Sequence, residues 1–314
     1  MSGSPTLSIL IVTYNAEPFL KGCLESIARQ KPSFSFEVIV TDNASTDRSV
    51  ELIRSNFPDV QLITNTVNAG FAAGTNRAFA RAAGGFILLL NPDTILNGGA
   101  LEGLAEFLRR RPDAGAIGPR ILNQDGSPQR TGVSAPSLWN LLMDTLLLNV
   151  VFPRSKIFGR HRRLYDDPDR PQEVDCLQGS CLLIRREALN GGSVLDESYF
   201  LYFEETDLCT RLKQAGWKVM YVPEASVIHL GGSGVSYYDA PRILMFHRSF
   251  LVYLKKHSGF LRRLIFRVLL IARALTRSVL FSGAGLVIAR RRAELFDRSR
   301  GYLRTLPLLG GLKG

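Results

Sequence analysis

The chain has 314 residues, 46% hydrophobic and 21% charged, which is enough apolar content for one large domain with an appendage or for two domains, and too much for a disordered chain. Its four cysteines, Cys23, Cys176, Cys181 and Cys209, form no C-x-x-C pair, which argues for reduced thiols and against a disulfide framework or a structural zinc site. The net charge of +11 is uneven: residues 236–314 hold 16 Lys and Arg against 3 Asp and Glu, the other 235 residues 23 against 25, so the basic character belongs to the tail and nucleic acid is not the expected partner.

The opening "MSGSPTLSILIVTYN" has no basic stretch ahead of its apolar run. It reads as a first strand, not a signal peptide, and implies a chain that begins in the cytoplasm. Strand-like runs at 7–12, 36–41, 60–64 and 86–90 alternate with helical patterns near 17–30, 46–55 and 75–83. This is the mark of a Rossmann-like, mostly parallel sheet with covering helices.

Thr13, Tyr14 and Asn15 close the first strand, where a dinucleotide site would need G-x-G-x-x-G. That fingerprint is absent, so Tyr14 is either a platform for a nucleobase or a rim aromatic. At the end of the second strand, Asp42 can accept the N3–H of a pyrimidine, or it can serve a helix start, as Asp47 is expected to do. In "NAGFAAGTNRA", small residues beside Asn68, Asn76 and Arg77 would let a diphosphate approach a helix start, although a glycine-rich turn needs no ligand. "FILLLNPDT" ends in Asp93, a carboxylate suited to Mg2+ or Mn2+, or merely part of a turn.

An amphipathic helix before Pro112 and a strand near 115–122 come next, then the turn-rich "NQDGSPQR". Residues 131–173 read as a flexible insertion, whose apolar "SLWNLLMDTLLLNVVF" either packs on the domain or meets a membrane or lipid acceptor. Residues 174–190 suggest a strand leading into a helix, and "KVMYVPEASVIHL" a strand that ends near His229. Between them Glu204, Glu205 and Asp207 crowd a helix start, where they complement the macrodipole or supply a general base.

In the tail, "FLRRLIFRVLLIARALTRSVLFSGAGLVIARRR" is broken by Arg267, Arg273 and Arg277, leaving no run of about 18 uncharged residues to span a membrane. At about 100° per residue, these and Arg262 and Arg263 share roughly 140° of arc, opposite Leu264, Val268, Ile271, Leu275 and Val279. Such a helix lies on an anionic membrane, or packs on its own domain or on a dimer partner. The closing "LPLLGGLKG" is expected to fray.

Taken in order, "LSILIVTYN", "VIVTDNASTD", "NAGFAAGTN", "LLLNPDT", "GSCLLIRREAL", "YFEETDLCTRLKQAGW" and "VIHLGG" resemble the family 2 inverting glycosyltransferases of GT-A fold, especially bacterial rhamnosyltransferase-like members. The resemblance implies a GT-A domain over residues 1–235, with a donor half to 122 and an acceptor half from 123, followed by a basic amphipathic helical segment over 236–314. It implies that Tyr14 and Asp42 hold the base of a nucleotide-sugar, with Thr13, Asn15, Asn68, Asn76 and Arg77 as further donor-binding candidates, and that Asp93 binds Mg2+ or Mn2+, with His229 either a second ligand, as in some relatives, or a structural histidine at a strand end.

Asn91 stands where many relatives have a first Asp, so that metal site is short of one carboxylate. Glu205 takes the place of the catalytic base, usually Asp; being one methylene longer it would sit back by about 1.5 Å, with Glu204 or Asp207 as alternates. Gly179 and Ser180 would border the acceptor pocket, while His161, His247 and His257 match nothing.

The implied donor is dTDP-L-rhamnose, with UDP-sugars equally able to meet Asp42. The implied acceptor is a glycan or a polyprenyl-diphosphate-linked sugar, reached from the inner face of the cell membrane in cell-surface polysaccharide synthesis. Of the rival classes, a sugar-nucleotide pyrophosphorylase would need a glycine-rich, basic first loop that "VTYNAEPF" lacks. A non-catalytic nucleotide-sugar binder would tolerate loss of the base, and an oligomer is compatible with the tail.

Overall fold

The computed structural model describes residues 5–129, 131–159, 167–231 and 239–311. The expected boundary at 235/236 and residues 160–166 of the expected insertion lie outside the described residues. In chain order the elements are β1 (Leu7–Thr13), α1 (Glu17–Ala28), β2 (Phe36–Asp42), α2 (Ser49–Asn56), β3 (Gln61–Thr64), α3 (Phe71–Phe79), β4 (Phe86–Leu90), β5 (Thr94–Leu96), α4 (Ala100–Arg110) and β6 (Ala114–Leu122). There follow β7 (Gly132–Val133), α5 (Leu138–Thr145), α6 (Leu148–Val151), β8 (Gln172–Glu173), β9 (Cys176–Leu177), β10 (Cys181–Arg185), α7 (Glu204–Gln214), β11 (Lys218–His229), α8 (Ala240–His257), α9 (Phe260–Val287) and α10 (Arg292–Gly310).

Two compact units result. The first comprises Met1–Val133, Asp167–Phe200 and Glu204–Gly231. Its main sheet runs β3-β2-β1-β4-β10-β6-β11-β5. The first four strands are parallel, as the alternating apolar runs require, and β10 enters antiparallel to both β4 and β6. Every residue of β1 is buried, because helices cover both faces of the sheet. The chain moves outward from β1 to β2 and β3, then returns through α3 to β4 on the other side of β1. That reversal makes the carboxyl ends of β1 and β4 a topological switch point, the place where open α/β sheets take ligands.

Helix starts follow local chemistry. Asp47, the expected helix starter, accepts from the backbone N–H of Ser49 at 3.0 Å and from that of Glu17 at 3.0 Å, so it serves the first turns of both α2 and α1. α3 begins at Phe71, four residues before the expected start, because Gly70 lets the chain turn early. Its φ is +88°, and a Cβ there would lie 2.6 Å from the Phe200 carbonyl oxygen. All four cysteines are free and buried, and burial raises their thiols, Cys23 to about 12.

The second unit comprises Ser134–Asp166, Leu201–Phe203 and Gly232–Gly314. Residues 134–159 therefore group with the helical tail, not with an acceptor half as the two-part reading of the sequence had it. The reason is an ion-pair cluster: Asp144 on α5 receives Arg273 Nε and, at 3.0 Å, Arg277 Nη2 from α9. Among the described residues the tail forms three α-helices, and α10 continues to Gly310 where fraying was expected, with Leu309 and Thr305 buried. Among the described residues, no helix is long and apolar enough to cross a membrane.

Candidate active site

Parallel register sets Thr13 and Asp42 side by side at the ends of β1 and β2. Asp42 is 2% exposed; its Oδ2 accepts from the Ser45 N–H at 3.0 Å, while Oδ1 has no partner among the described residues, and neither does Thr13 Oγ1. Buried polar atoms are rarely left unsatisfied, so this adjacent pair at the strand ends is a candidate for a ligand's hydrogen bonds. Asn15 adopts φ +51°, a conformation Asn tolerates. Its N–H donates to Ser45 Oγ at 2.9 Å and its Oδ1 accepts from the Thr46 N–H at 2.8 Å. Between Thr13 and Asn15, Tyr14 is left half exposed on the surface.

The third expected donor element is held from below. Asn68 Oδ1 accepts from the Gly70 N–H at 3.0 Å, Asn43 Nδ2 donates to the Gly70 carbonyl at 2.9 Å, and Asn65 Nδ2 donates to Asn43 Oδ1 at 2.7 Å. Arg77 Nη1 completes the chain by donating to Asn65 Oδ1. Asn76 turns to a different task. Its Nδ2 donates to the Leu195 carbonyl at 2.8 Å and its Oδ1 accepts from the Leu195 N–H at 3.1 Å, which ties α3 to the 194–200 loop. Asn43 and Asn65 had no signal in the sequence beyond their polarity.

At the end of β4, the Asn91 N–H donates to the Ser180 carbonyl at 3.0 Å, and the Leu230 N–H donates to the Asp93 carbonyl at 2.9 Å. These two bonds bring the "NPDT" turn, the start of β10 and the end of β11 together. His229 is buried, with Nε2 3.3 Å from Asp93 Oδ1. Gln129 fixes its tautomer: Gln129 Nε2 donates to the His229 carbonyl at 2.6 Å, so the Gln129 Oε1 at 3.0 Å faces Nδ1 and accepts its proton. The longer 3.5 Å approach of Gln178 Nε2 to the same nitrogen is the weaker contact.

With Nδ1 protonated, Nε2 offers a lone pair toward the Asp93 carboxylate, a donor set that fits a divalent cation. Among the described residues no three of His, Cys, Asp and Glu gather to hold a metal on their own. Remaining ligand positions would fall to a diphosphate and water, as is usual for Mg2+. Gln129 was invisible as a site residue, since it sits in a turn-rich connection with no periodic signal.

α7 brings the acidic cluster. Glu205 lies beside Gly179, where a Cβ would stand 3.6 Å from Glu205 Cβ and Cγ. Burial pushes the Glu205 carboxyl up to about 7, against the opposing pull of the Glu205 and Thr206 backbone N–H groups. Glu204 is buried, and desolvation together with the charge of Glu205 raises it well above the ordinary carboxylate range. Its Oε2 has no partner among the described residues.

Asp207 differs from both. It accepts from Arg211 Nε at 2.7 Å and from Tyr199 OH at 3.3 Å, so it is an ion-paired strut of α7. Ahead of Glu204, Tyr202 and Phe203 each hold φ +70°, a conformation costly for non-glycine residues and found where local geometry is tightly determined.

Thr13, Asp42, Asp93, Ser180 and His229 thus lie at one edge of the sheet, with Glu205 beside Gly179 next to Ser180. The Glycosyl transferase family 2 model matches residues 8–191. The chain belongs to that family and is a glycosyltransferase of GT-A fold. It is 33% identical to the N-acetylglucosaminyl-diphospho-decaprenol L-rhamnosyltransferase of Mycobacterium tuberculosis over 82% of this chain and 86% of that one. It is 26% identical to a low-salt glycan biosynthesis hexosyltransferase of Haloferax volcanii over 71% and 66% of the two chains. Among solved structures, a Pyrobaculum calidifontis mannosyltransferase in complex with GDP-Man and Mn2+ superposes with a TM-score of 0.60 at 16% identity, covering 99% of this chain and 89% of that one.

Proposed function

We propose that the protein is an inverting glycosyltransferase that moves L-rhamnose from dTDP-L-rhamnose to a polyprenyl-diphosphate-linked sugar, in cell-surface glycan synthesis at the cytoplasmic face of the membrane. The observation that carries the reaction type is Glu205: a carboxyl raised to about 7, packed beside Gly179, whose neighbour Ser180 is bonded to the "NPDT" turn. A base of that strength is poised to take a proton from a hydroxyl near neutral pH. The sugar and acceptor rest on the mycobacterial relative, whose name specifies rhamnosyl transfer to a diphospho-decaprenol-linked sugar.

In this reading the Asp42 carboxylate accepts the N3–H of the pyrimidine through its unpartnered Oδ1, Tyr14 lies against the base, and Thr13 and Asn15 line the same end. A uracil would satisfy Asp42 as well as a thymine, so a UDP-sugar is the second reading. Asn68 shapes the turn that receives the diphosphate. Arg77 supports it through Asn65 and Asn43, and Asn76 holds the neighbouring loop.

Asp93 and His229 would hold Mg2+ or Mn2+, which when bound supplies positive charge to the departing diphosphate. Gly179 and Ser180 leave room for the acceptor against Glu205. Glu205 removes the acceptor hydroxyl's proton as that oxygen attacks the anomeric carbon from the face opposite the diphosphate, which inverts the configuration. Burial and the charge of Glu205 both raise Glu204 well above the ordinary carboxylate range, so the pair resists carrying two charges at once.

The test is a transfer assay with a panel of nucleotide-sugars and a short-chain polyprenyl-diphosphate acceptor, reading the anomeric configuration of the product. Inverted transfer of rhamnose from dTDP-L-rhamnose is expected. Retained configuration would refute the single displacement, and exclusive use of a UDP-sugar would favour the second reading.

A further inference from the structure

The helical unit wears α9 with its apolar side outward. Phe266, Leu270, Ala274 and Ser278 are the buried positions, and Arg273 and Arg277 turn inward to Asp144. On the opposite side Leu261, Leu264, Val268, Leu275, Val279 and Leu286 are exposed, Val279 at 72% and Leu286 at 70%. At about 100° per residue these six fall within roughly 60° of arc, a continuous stripe about 38 Å long at 1.5 Å per residue. An apolar stripe of that length on water is a contact surface.

Charge identifies the occupant. Exposed cations lie in the chain on either side of the stripe, Lys255 and Lys256 at the end of α8 and Arg290, Arg291 and Arg292 between α9 and the first residue of α10, with Arg291 ion-paired to Glu294 at 2.9 Å. Two copies packed stripe to stripe would set cation against cation whether they ran parallel or antiparallel. An anionic bilayer meets both features, taking the stripe into the acyl boundary and the flanking cations against its phosphates.

We propose that the α9 stripe is the surface that seats this protein on an anionic lipid bilayer, lying in the interface without crossing it. This deepens the lipid-linked acceptor reading and rests on it for purpose, yet its test needs neither donor nor acceptor. It also reverses the sequence expectation for two arginines, since Arg273 and Arg277 hold α9 to α5 and only the residues at the ends of the stripe reach phosphate.

The full chain is floated with vesicles of phosphatidylglycerol and phosphatidylethanolamine and, separately, of phosphatidylcholine alone. The substitutions are Val268→Glu with Val279→Glu, both at exposed positions and neither in the donor site, with nucleotide binding and thermal melting as checks on the fold. The wild type is expected to float with the anionic vesicles at least tenfold more strongly than with the neutral ones. The double variant is expected to lose at least tenfold of that binding with nucleotide affinity unchanged. Equal flotation of variant and wild type would overturn the proposal, as would a wild type that ignores vesicles and elutes as a dimer that the double substitution dissolves.

Discussion

His229 Nε2 stands 3.3 Å from Asp93 Oδ1, and Gln129 decides what can lie between them by accepting the proton of Nδ1 at 3.0 Å. Gln129→Leu removes that acceptor without touching either atom proposed to bind the metal. A Mn2+ titration of the nucleotide complex is expected to show roughly 10-fold to 100-fold weaker affinity, the usual cost of losing an outer hydrogen-bond partner of a ligating histidine. Unchanged affinity would show that His229 is not a ligand. Excess chelator is expected to abolish transfer by the wild type.

Asp42→Asn tests the base contact by geometry. The Ser45 N–H at 3.0 Å requires an acceptor, so the substituted amide keeps its oxygen there and turns its NH2 to the position of the unpartnered oxygen. A donor would then confront the pyrimidine N3–H. Calorimetry with dTDP is expected to show at least a tenfold loss, in keeping with about 1.5–3 kcal/mol for a hydrogen bond to a charged group.

The raised Glu205 carboxyl has two opposite consequences for pH. Activity should climb as pH rises through about 7, because only the anion can accept a proton. Stability should move the other way. Between the ordinary value of 4.5 and about 7 the folded chain keeps a proton that the unfolded chain releases, so stability is fullest below 4.5 and falls as pH rises through that window. Glu205→Gln, which cannot ionise, is therefore expected to melt above wild type at pH 8, with the gap closing by pH 4.

Asp144 holds two arginines of α9 with side chains less than a fifth exposed. Asp144→Ala leaves that charge uncompensated and is expected to cost about 3 kcal/mol, the scale for breaking a largely buried pair. Thermal unfolding would report it, with dTDP affinity retained because the donor end lies in the other unit.

The sheet and the motif positions were legible because they rest on local signals: apolar runs bounded by turns, and carboxylates at strand ends. What escaped was set by tertiary partners. Asp207 and Glu205 look alike in "YFEETDLCTRL", and only its partners Arg211 and Tyr199 set Asp207 apart. Asn76 belongs to "NAGFAAGTNRA", a stretch that suggests a diphosphate, yet it lies within α3 and Leu195 takes its amide. Arg273 and Arg277 looked like part of a lipid-facing row until Asp144, about 130 residues upstream, drew them inward. The three-residue β5 was missed because a strand so short has no period to read.

Whether Glu205 is the base of a glycosyl transfer is read by comparing Glu205→Gln with wild type for single-turnover transfer and for nucleotide binding on the same preparations. The expected loss in transfer rate is roughly 10²–10⁴-fold, the usual contribution of general-base catalysis, with dTDP affinity unchanged. Transfer at the wild-type rate by Glu205→Gln would contradict the assignment.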